Sequence, residues 1–177
     1  MQLVILAGGR GTRISEESFL KPKPLIEIGG KPIILHIMNH YSNYGIREFI
    51  ICCGYKGELL KEYFSNFGIY ASDMTVNLKN NKIKFHKKRF ENWKVTLIDT
   101  DINTQTGGRI KKIKIYLNNT FCLTYGDGLS NVNITESIKF HKKNKKLATM
   151  TTVQPAGRFG AVEIKGNHIN KFVEKPS

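Results

Sequence analysis

Long apolar runs are missing from this chain. No stretch approaches the roughly 20 residues that a membrane-spanning helix needs, and the amino terminus shows neither a charged n-region nor a cleavage site. A soluble, cytoplasmic protein is expected. Cysteine is scarce, three in 177 residues. Two of them, Cys52 and Cys53, are adjacent, so the three make no disulfide framework and no zinc-ligand spacing, and they read as reduced core residues on strands. The histidines, at 36, 40, 86, 141 and 168, form no ligand spacing either. There is no low-complexity tract, and 40% of the residues are hydrophobic, which excludes a disordered chain and suits one domain over 1–177. Acidic residues number only 14 against 28 basic ones, a net charge of +14. That excess raises the question of nucleic acid. The lysines are dispersed, however, and no RRM, zinc-finger or helix-turn-helix pattern accompanies them. Solvated faces and attraction for a polyanionic small substrate account for the charge.

What is present is concentrated near the start. Leu3–Ala7 has the length and composition of a buried parallel strand. It stops at Gly8-Gly9, and Gly11 follows. These glycines permit turns that a Cβ would hinder and let backbone N–H groups approach an anion closely. Arg13 adds a planar multi-donor cation, and Lys21 and Lys23 add point charges on a proline-stiffened segment, Lys21-Pro22-Lys23-Pro24. Strand, amide cradle and cations make a phosphate site. It is not the dinucleotide fingerprint, because Ile14 occupies the place of the third glycine. It is not a P-loop, because Gly30-Lys31 is followed by Pro32.

Along the chain, Leu25–Ile28 reads as an extended piece closed by Gly29-Gly30. Pro32 then opens a helix with Ile34, Ile37, Met38 and Tyr41 on one side, stopped at Gly45. Glu48–Cys53 is a buried strand, and residues 57 to 67 form a helix with Leu60, Tyr63, Phe64 and Phe67 inward. Strand and helix alternation over short connections predicts an α/β fold, an open, mostly parallel, Rossmann-like mixed sheet with helices on both faces. Asn80-Asn81 marks a turn before the strand Lys82–His86, and Val95–Ile98 is another strand. Residues 99–108 are a polar surface loop. Arg109–Leu117 is a helix with Ile110, Ile113 and Leu117 on one side and basic residues on the other. Phe121–Tyr125 is a buried strand ending in Gly126-Asp127-Gly128, which puts a carboxylate at the rim where parallel sheets bind ligands. A helix starting near Asn133, a strand over Leu147–Val153, a tight loop Gly157-Arg158-Phe159-Gly160 and a hairpin around Gly166-Asn167 complete the reading.

Leu6-Ala7-Gly8-Gly9-Arg10-Gly11-Thr12-Arg13 with Lys23-Pro24-Leu25 resembles the signature of the sugar-phosphate nucleotidyltransferases. Ile51–Gly57, Trp93–Leu97, Thr106-Gly107-Gly108-Arg109, Thr124–Gly128 and Gly157–Gly160 narrow the resemblance to the glucose-1-phosphate cytidylyltransferase branch. The resemblance implies a glycosyltransferase-A-like fold, CTP and α-D-glucose 1-phosphate as substrates, Mg²⁺ as cofactor, a place in bacterial surface-polysaccharide (O-antigen) biosynthesis, and often a homo-oligomer.

The chemistry joins two anions, so cations and backbone amides should do most of the work, and no protein nucleophile is needed. The resemblance implies that Leu6, Ala7, Gly8, Gly9, Arg10 and Gly11 hold nucleotide and phosphate, with Thr12 adding a hydroxyl. Arg13 would stabilise the departing pyrophosphate, and Lys23 would neutralise the α-phosphate. Thr106, Arg109 and Gly126 would contact the nucleotide, and Asp127 would ligate Mg²⁺. Members of the family continue past the equivalent of Glu174-Lys175-Pro176 with the rest of the sugar pocket and a second metal-binding aspartate. The chain is therefore expected to be a C-terminally truncated catalytic domain, a fragment or one piece of a split enzyme, with nucleotide-site architecture and weak or absent turnover alone. The alternatives are a non-catalytic nucleotide-binding or assembly subunit and, behind it, a nucleic-acid-binding protein.

Overall fold

Two runs, Leu3–Ala7 and Phe49–Cys53, are apolar at every position, and a strand can be so only where both of its faces are covered. The computed structural model describes residues 1–9, 21–86, 92–153, 161–165 and 168–173. In it, strand β1 (Gln2–Ala7) and strand β4 (Glu48–Cys53) form the centre of a four-stranded sheet, flanked by β7 (Lys94–Asp99) and β8 (Phe121–Tyr125). The order is β7-β4-β1-β8 and every pairing is parallel.

Alternation along the strands assigns the faces. Val4, Leu6, Ile50 and Cys52 meet Ile113, with Ile98, Leu117 and Phe121 at the margin. This face is covered by α4 (Thr106–Lys112) and the 3-10 turn Lys114–Tyr116. The opposite face carries Phe49 beneath Trp93, whose indole N–H donates to Ser42 of α1 (Ile33–Asn43) at 3.0 Å. Ile34, Ile37 and Met38 of α1 and Leu60 of α2 (Gly57–Ser65) are sealed there. Each such side chain contributes about 1.5–3 kcal/mol by leaving water.

Local signals act where they were read. Gly29 and Gly30 both have positive φ, +58° and +74°, and turn β2 (Glu27–Ile28) into β3 (Lys31–Pro32). Gly45, at φ +83°, ends α1, its N–H donating to the Ser42 carbonyl. Pro32 is not the first helical residue: it pairs with Glu27 at ψ 140°, and α1 starts one residue later. The helix expected to residue 67 breaks at Asn66, and α3 (Phe67–Ala71) follows. Lys82–His86 is a strand as read (β6), but it pairs with a strand the sequence did not advertise, β5 (Asp73–Asn77). Thr106–Gly108 belongs to α4 rather than to the preceding loop.

Two expected strands differ. Phe121–Tyr125 forms, but as an edge strand among the described residues, with Leu123 and Tyr125 exposed. Leu147–Val153 is not a strand. No described strand pairs with it, its side chains are exposed, and β-propensity without a ladder partner has nothing to act on.

The chain groups into two compact units, Met1–Ile134 and Thr135–Ser177. The second holds nearly all of helix α5 (Ile134–Asn144) and the expected hairpin, β9 (Ala161–Lys165) with β10 (His168–Val173). The loop Gly157-Arg158-Phe159-Gly160 and the turn Gly166-Asn167 lie outside the described residues.

Ile51→Ala, in the sealed core, should cost about 2–5 kcal/mol in urea unfolding. Ile83→Ala on the exposed hairpin should stay within about 0.5 kcal/mol. Burial pushes the Cys52 thiol up to about 11 and the Cys53 thiol up to about 12, with the nearby cations Arg109 and, for Cys53, Lys61 opposing the rise. Both stay protonated in the folded chain where the unfolded chain, near 9.0, already ionises. Stability should hold below that pH and fall above it, by up to about 1.4 kcal/mol per pH unit for each thiol. Comparing the alkaline slope of the parent with that of Cys53→Ala checks the sign.

Candidate active site

In the order β7-β4-β1-β8 the chain builds outward from β1 in one direction and then returns to its other side, so the topology reverses between β1 and β8. Ligands of open parallel sheets bind outside the carboxyl ends of the strands at such a point. At the end of β1 stand Gly8 and Gly9, and at the end of β8 stand Gly126 and Asp127. The Gly126 N–H donates to the Leu6 carbonyl at 3.0 Å, which ties the two ends together. A Cβ on Gly126 would come within 3.0 Å of the Pro24 ring and 3.3 Å of the Leu6 carbonyl.

The crevice between these ends encloses about 300 Å³. It brings together Leu6, Ala7, Gly8, Gly9, Lys23, Thr106, Arg109, Gly126 and Asp127; Lys21 is not in its lining and pairs instead with Glu27 at 3.2 Å. Arg10, Gly11, Thr12 and Arg13 lie outside the described residues. Lys23, on the 3-10 turn Lys23–Leu25, reaches across the crevice. Its Nζ is 3.4 Å from Oδ2 of Asp127, whose side chain is 46% exposed while that of Lys23 is 20% exposed. The two opposite charges are thus paired at the crevice wall.

Arg109 departs most from its expected setting. It was read among the basic residues opposite Ile110, Ile113 and Leu117, with a nucleotide contact implied by the resemblance, but its guanidinium is buried. Nη1 donates to the Cys53 carbonyl at 3.1 Å and to the Thr100 hydroxyl; Nη2 donates to the carbonyls of Gly8 at 3.0 Å and Ile102 at 3.4 Å. Arg109 lies one turn before the buried Ile113, whose N–H donates to its carbonyl at 3.2 Å, so helical spacing puts the two on one face. Here the free carbonyls at the strand tips demand donors, and the long arginine stem lets α4 supply them.

The loop after β7 was also assigned to the surface, yet Ile102, Asn103, Thr104 and Gln105 form a wall of the crevice, and Pro24 and Tyr125 line it too. Asx turns shape this loop: the Asp101 N–H donates to Asp99 and the Asn103 N–H to Asp101. Lys112 ties it down from α4, with Nζ 3.0 Å from the Thr100 carbonyl and 3.1 Å from the Thr104 hydroxyl. The rule that located Asp127, attention to the carboxyl ends of parallel strands, applies equally to residues following Asp99. A larger cavity, about 450 Å³, lies between α2, α3 and the edge of β7 and is lined by Phe64, Phe67, Trp93, Val95 and Leu97 with Lys61. It gathers neither Lys23 nor Asp127, and neither Gly8, Gly9 nor Gly126.

Among the described residues no three histidine, cysteine or acidic side chains gather as a metal centre, and no helix is long and apolar enough to cross a membrane.

The model of the family described as nucleotidyl transferase matches residues 2–177. Glucose-1-phosphate cytidylyltransferases of Salmonella typhimurium and Salmonella typhi are each 51% identical to this chain over 99% of its length, which corresponds to 69% of theirs. The chain belongs to the nucleotidyl transferase family, in the glucose-1-phosphate cytidylyltransferase branch. Among solved structures, HddC from Yersinia pseudotuberculosis complexed with GMP-PN superposes with a TM-score of 0.61 at 26% identity, covering 99% of this chain and 70% of that one. In family terms, the glycine turn, the lysine and the aspartate share one crevice at the switch point.

The two described glycines of the turn should respond differently to a Cβ. At Gly8 it would collide with the Arg109 guanidinium, whereas at Gly9 it would meet nothing within 4 Å. Gly8→Ala should cost about 1–3 kcal/mol in chemical denaturation, and Gly9→Ala less than about 0.5 kcal/mol.

Proposed function

We propose that this chain transfers a cytidylyl group from CTP to α-D-glucose 1-phosphate, giving CDP-glucose and pyrophosphate. The observation that carries the reading is the convergence of Gly8-Gly9, Lys23 and Asp127 on one crevice at the switch point, in a chain half identical to enzymes of that name. A phosphate oxygen of the sugar phosphate attacks the α-phosphorus, the bond from that phosphorus to the β-phosphate oxygen breaks, and pyrophosphate leaves with the electron pair. The nucleophile is already anionic at neutral pH, so charge repulsion is the obstacle and fixed cations and N–H dipoles are the remedy.

In this reading the Gly8-Gly9 turn, continued by Arg10, Gly11 and Thr12, cradles the triphosphate. Lys23 neutralises the α-phosphate and orients the incoming anion, and Arg13 holds the pyrophosphate as charge grows on it. Thr106, Gly126 and the polar loop over 102–105 border the nucleoside. Asp127 suits Mg²⁺ in kind, because a half-exposed carboxylate is a hard oxygen donor. Its being one carboxylate suits a cation that arrives already bound to phosphates. Held by Asp127, Mg²⁺ would supply positive charge to offset that of the phosphates. The product feeds deoxysugar synthesis for bacterial surface polysaccharide, and the reaction belongs in the cytoplasm, where nucleoside triphosphates are held.

The test is calorimetric titration of the chain with CTP, together with pyrophosphate release from CTP and glucose 1-phosphate in Mg²⁺. Saturable CTP binding and sugar-dependent pyrophosphate release are expected; absence of CTP binding would sink the proposal, and binding without release would favour a non-catalytic subunit. Lys23→Met should lower kcat by about 10²–10³. Arg13→Ala should weaken CTP binding, and unchanged affinity would remove Arg13 from the site.

A further inference from the structure

The resemblance gives Arg109 a direct contact with the nucleotide, but its surroundings give it a different task. It is 6% exposed, and among the described residues no carboxylate pairs with it. Its Nη groups serve protein acceptors from three strand ends: the Gly8 carbonyl after β1, the Cys53 carbonyl at the end of β4, and the Thr100 hydroxyl and Ile102 carbonyl after β7. Thr100 is fully buried and doubles the link. Its N–H and its hydroxyl both donate to the Cys53 carbonyl, at 3.0 and 2.6 Å, while its oxygen accepts from Arg109. Glycine is needed around this knot. A Cβ on Gly54 would stand 2.7 Å from the Gly8 carbonyl oxygen and 2.8 Å from Nη1 of Arg109.

We infer that Arg109, Thr100 and Gly54 are positioning residues that set the orientation of the Gly8–Gly9 peptide and so aim the phosphate turn. A trans peptide is planar, with its C=O and N–H on opposite sides. The Gly8 carbonyl is drawn inward by Arg109 at 3.0 Å, with the Tyr55 N–H at 3.4 Å. The Gly9 N–H is therefore turned away from the guanidinium. Gly9 lines the crevice, and its open side has no atom within 4 Å of a would-be Cβ. That N–H is aimed to meet a phosphate oxygen. Were Arg109 to swing out to touch the ligand itself, the Gly8 and Cys53 carbonyls would lose a donor in a buried place, a penalty that direct contact would first have to overcome.

This inference rests on the nucleotide reading of the crevice, and the test separates the two. Thr100→Val keeps the shape and removes the hydroxyl, and Gly54→Ala pushes on the Gly8 carbonyl. Neither residue is in the lining of the crevice. The full chain carrying each change, alongside Arg109→Lys, is titrated with CTP and with inorganic pyrophosphate, and the Gly9 amide resonance is recorded without ligand. Both remote variants should move that resonance and weaken CTP and pyrophosphate binding by about tenfold, the worth of one hydrogen bond. Variants with a lower Tm but parental affinity and an unmoved Gly9 resonance would show a purely structural knot and overturn the inference. So would a loss of affinity confined to Arg109→Lys, which would make Arg109 a direct contact. If the parent chain binds neither anion, the nucleotide reading fails, and the Gly9 resonance of Thr100→Val still decides whether the turn is aimed as proposed.

Discussion

Parallel strands that stop together leave a row of carbonyls at one end of the sheet, and the fold cannot bury them without donors. Here one guanidinium answers that demand. Arg109, carried by α4, donates to the ends of β1 and β4 and to the loop after β7. The consequences spread outward from it. Gly8 and Gly54 have no room for a Cβ, the loop over 100–104 is held against the strand tips, and the turn after β1 is set on its stem. The crevice lies over this buried knot, with Gly8 and Arg109 in its lining.

Charge is distributed with similar economy. The chain carries a net +14, yet the described crevice depends on one lysine and one aspartate facing each other at 3.4 Å. A local positive field draws anions whatever the total charge of the chain. On the surface of α5, Lys139 pairs with Glu136, an interaction worth about a few tenths of a kcal/mol. The global excess attracts polyanions, and the crevice decides what is done with them.

The central strands and the glycine turns were readable because each depends on its own residues: an uninterrupted apolar run needs two covered faces, and Gly45 at φ +83° is a local stop. The crevice residues from Leu6 to Gly9, with Lys23, Gly126 and Asp127, were readable from motif and strand-end logic. What escaped depends on partners. Tyr125 is exposed because β8 is an edge strand among the described residues. Leu147–Val153 stays irregular for want of a ladder. Residues 102–105 line the site although their polar composition says only surface.

Arg109 marks the boundary most sharply. By itself the sequence determined the sheet-forming runs, the glycine positions where backbone must approach backbone or anion, and the set of charged residues available for phosphate chemistry, since these follow from sterics, periodicity and ionisation. Only the tertiary structure decided that this arginine turns inward while Lys111 and Lys112 of the same helix face outward. The reason is that acceptors from three separate strand ends converge there, and an unmet hydrogen-bond acceptor is a property of the assembled sheet that no local stretch of residues contains.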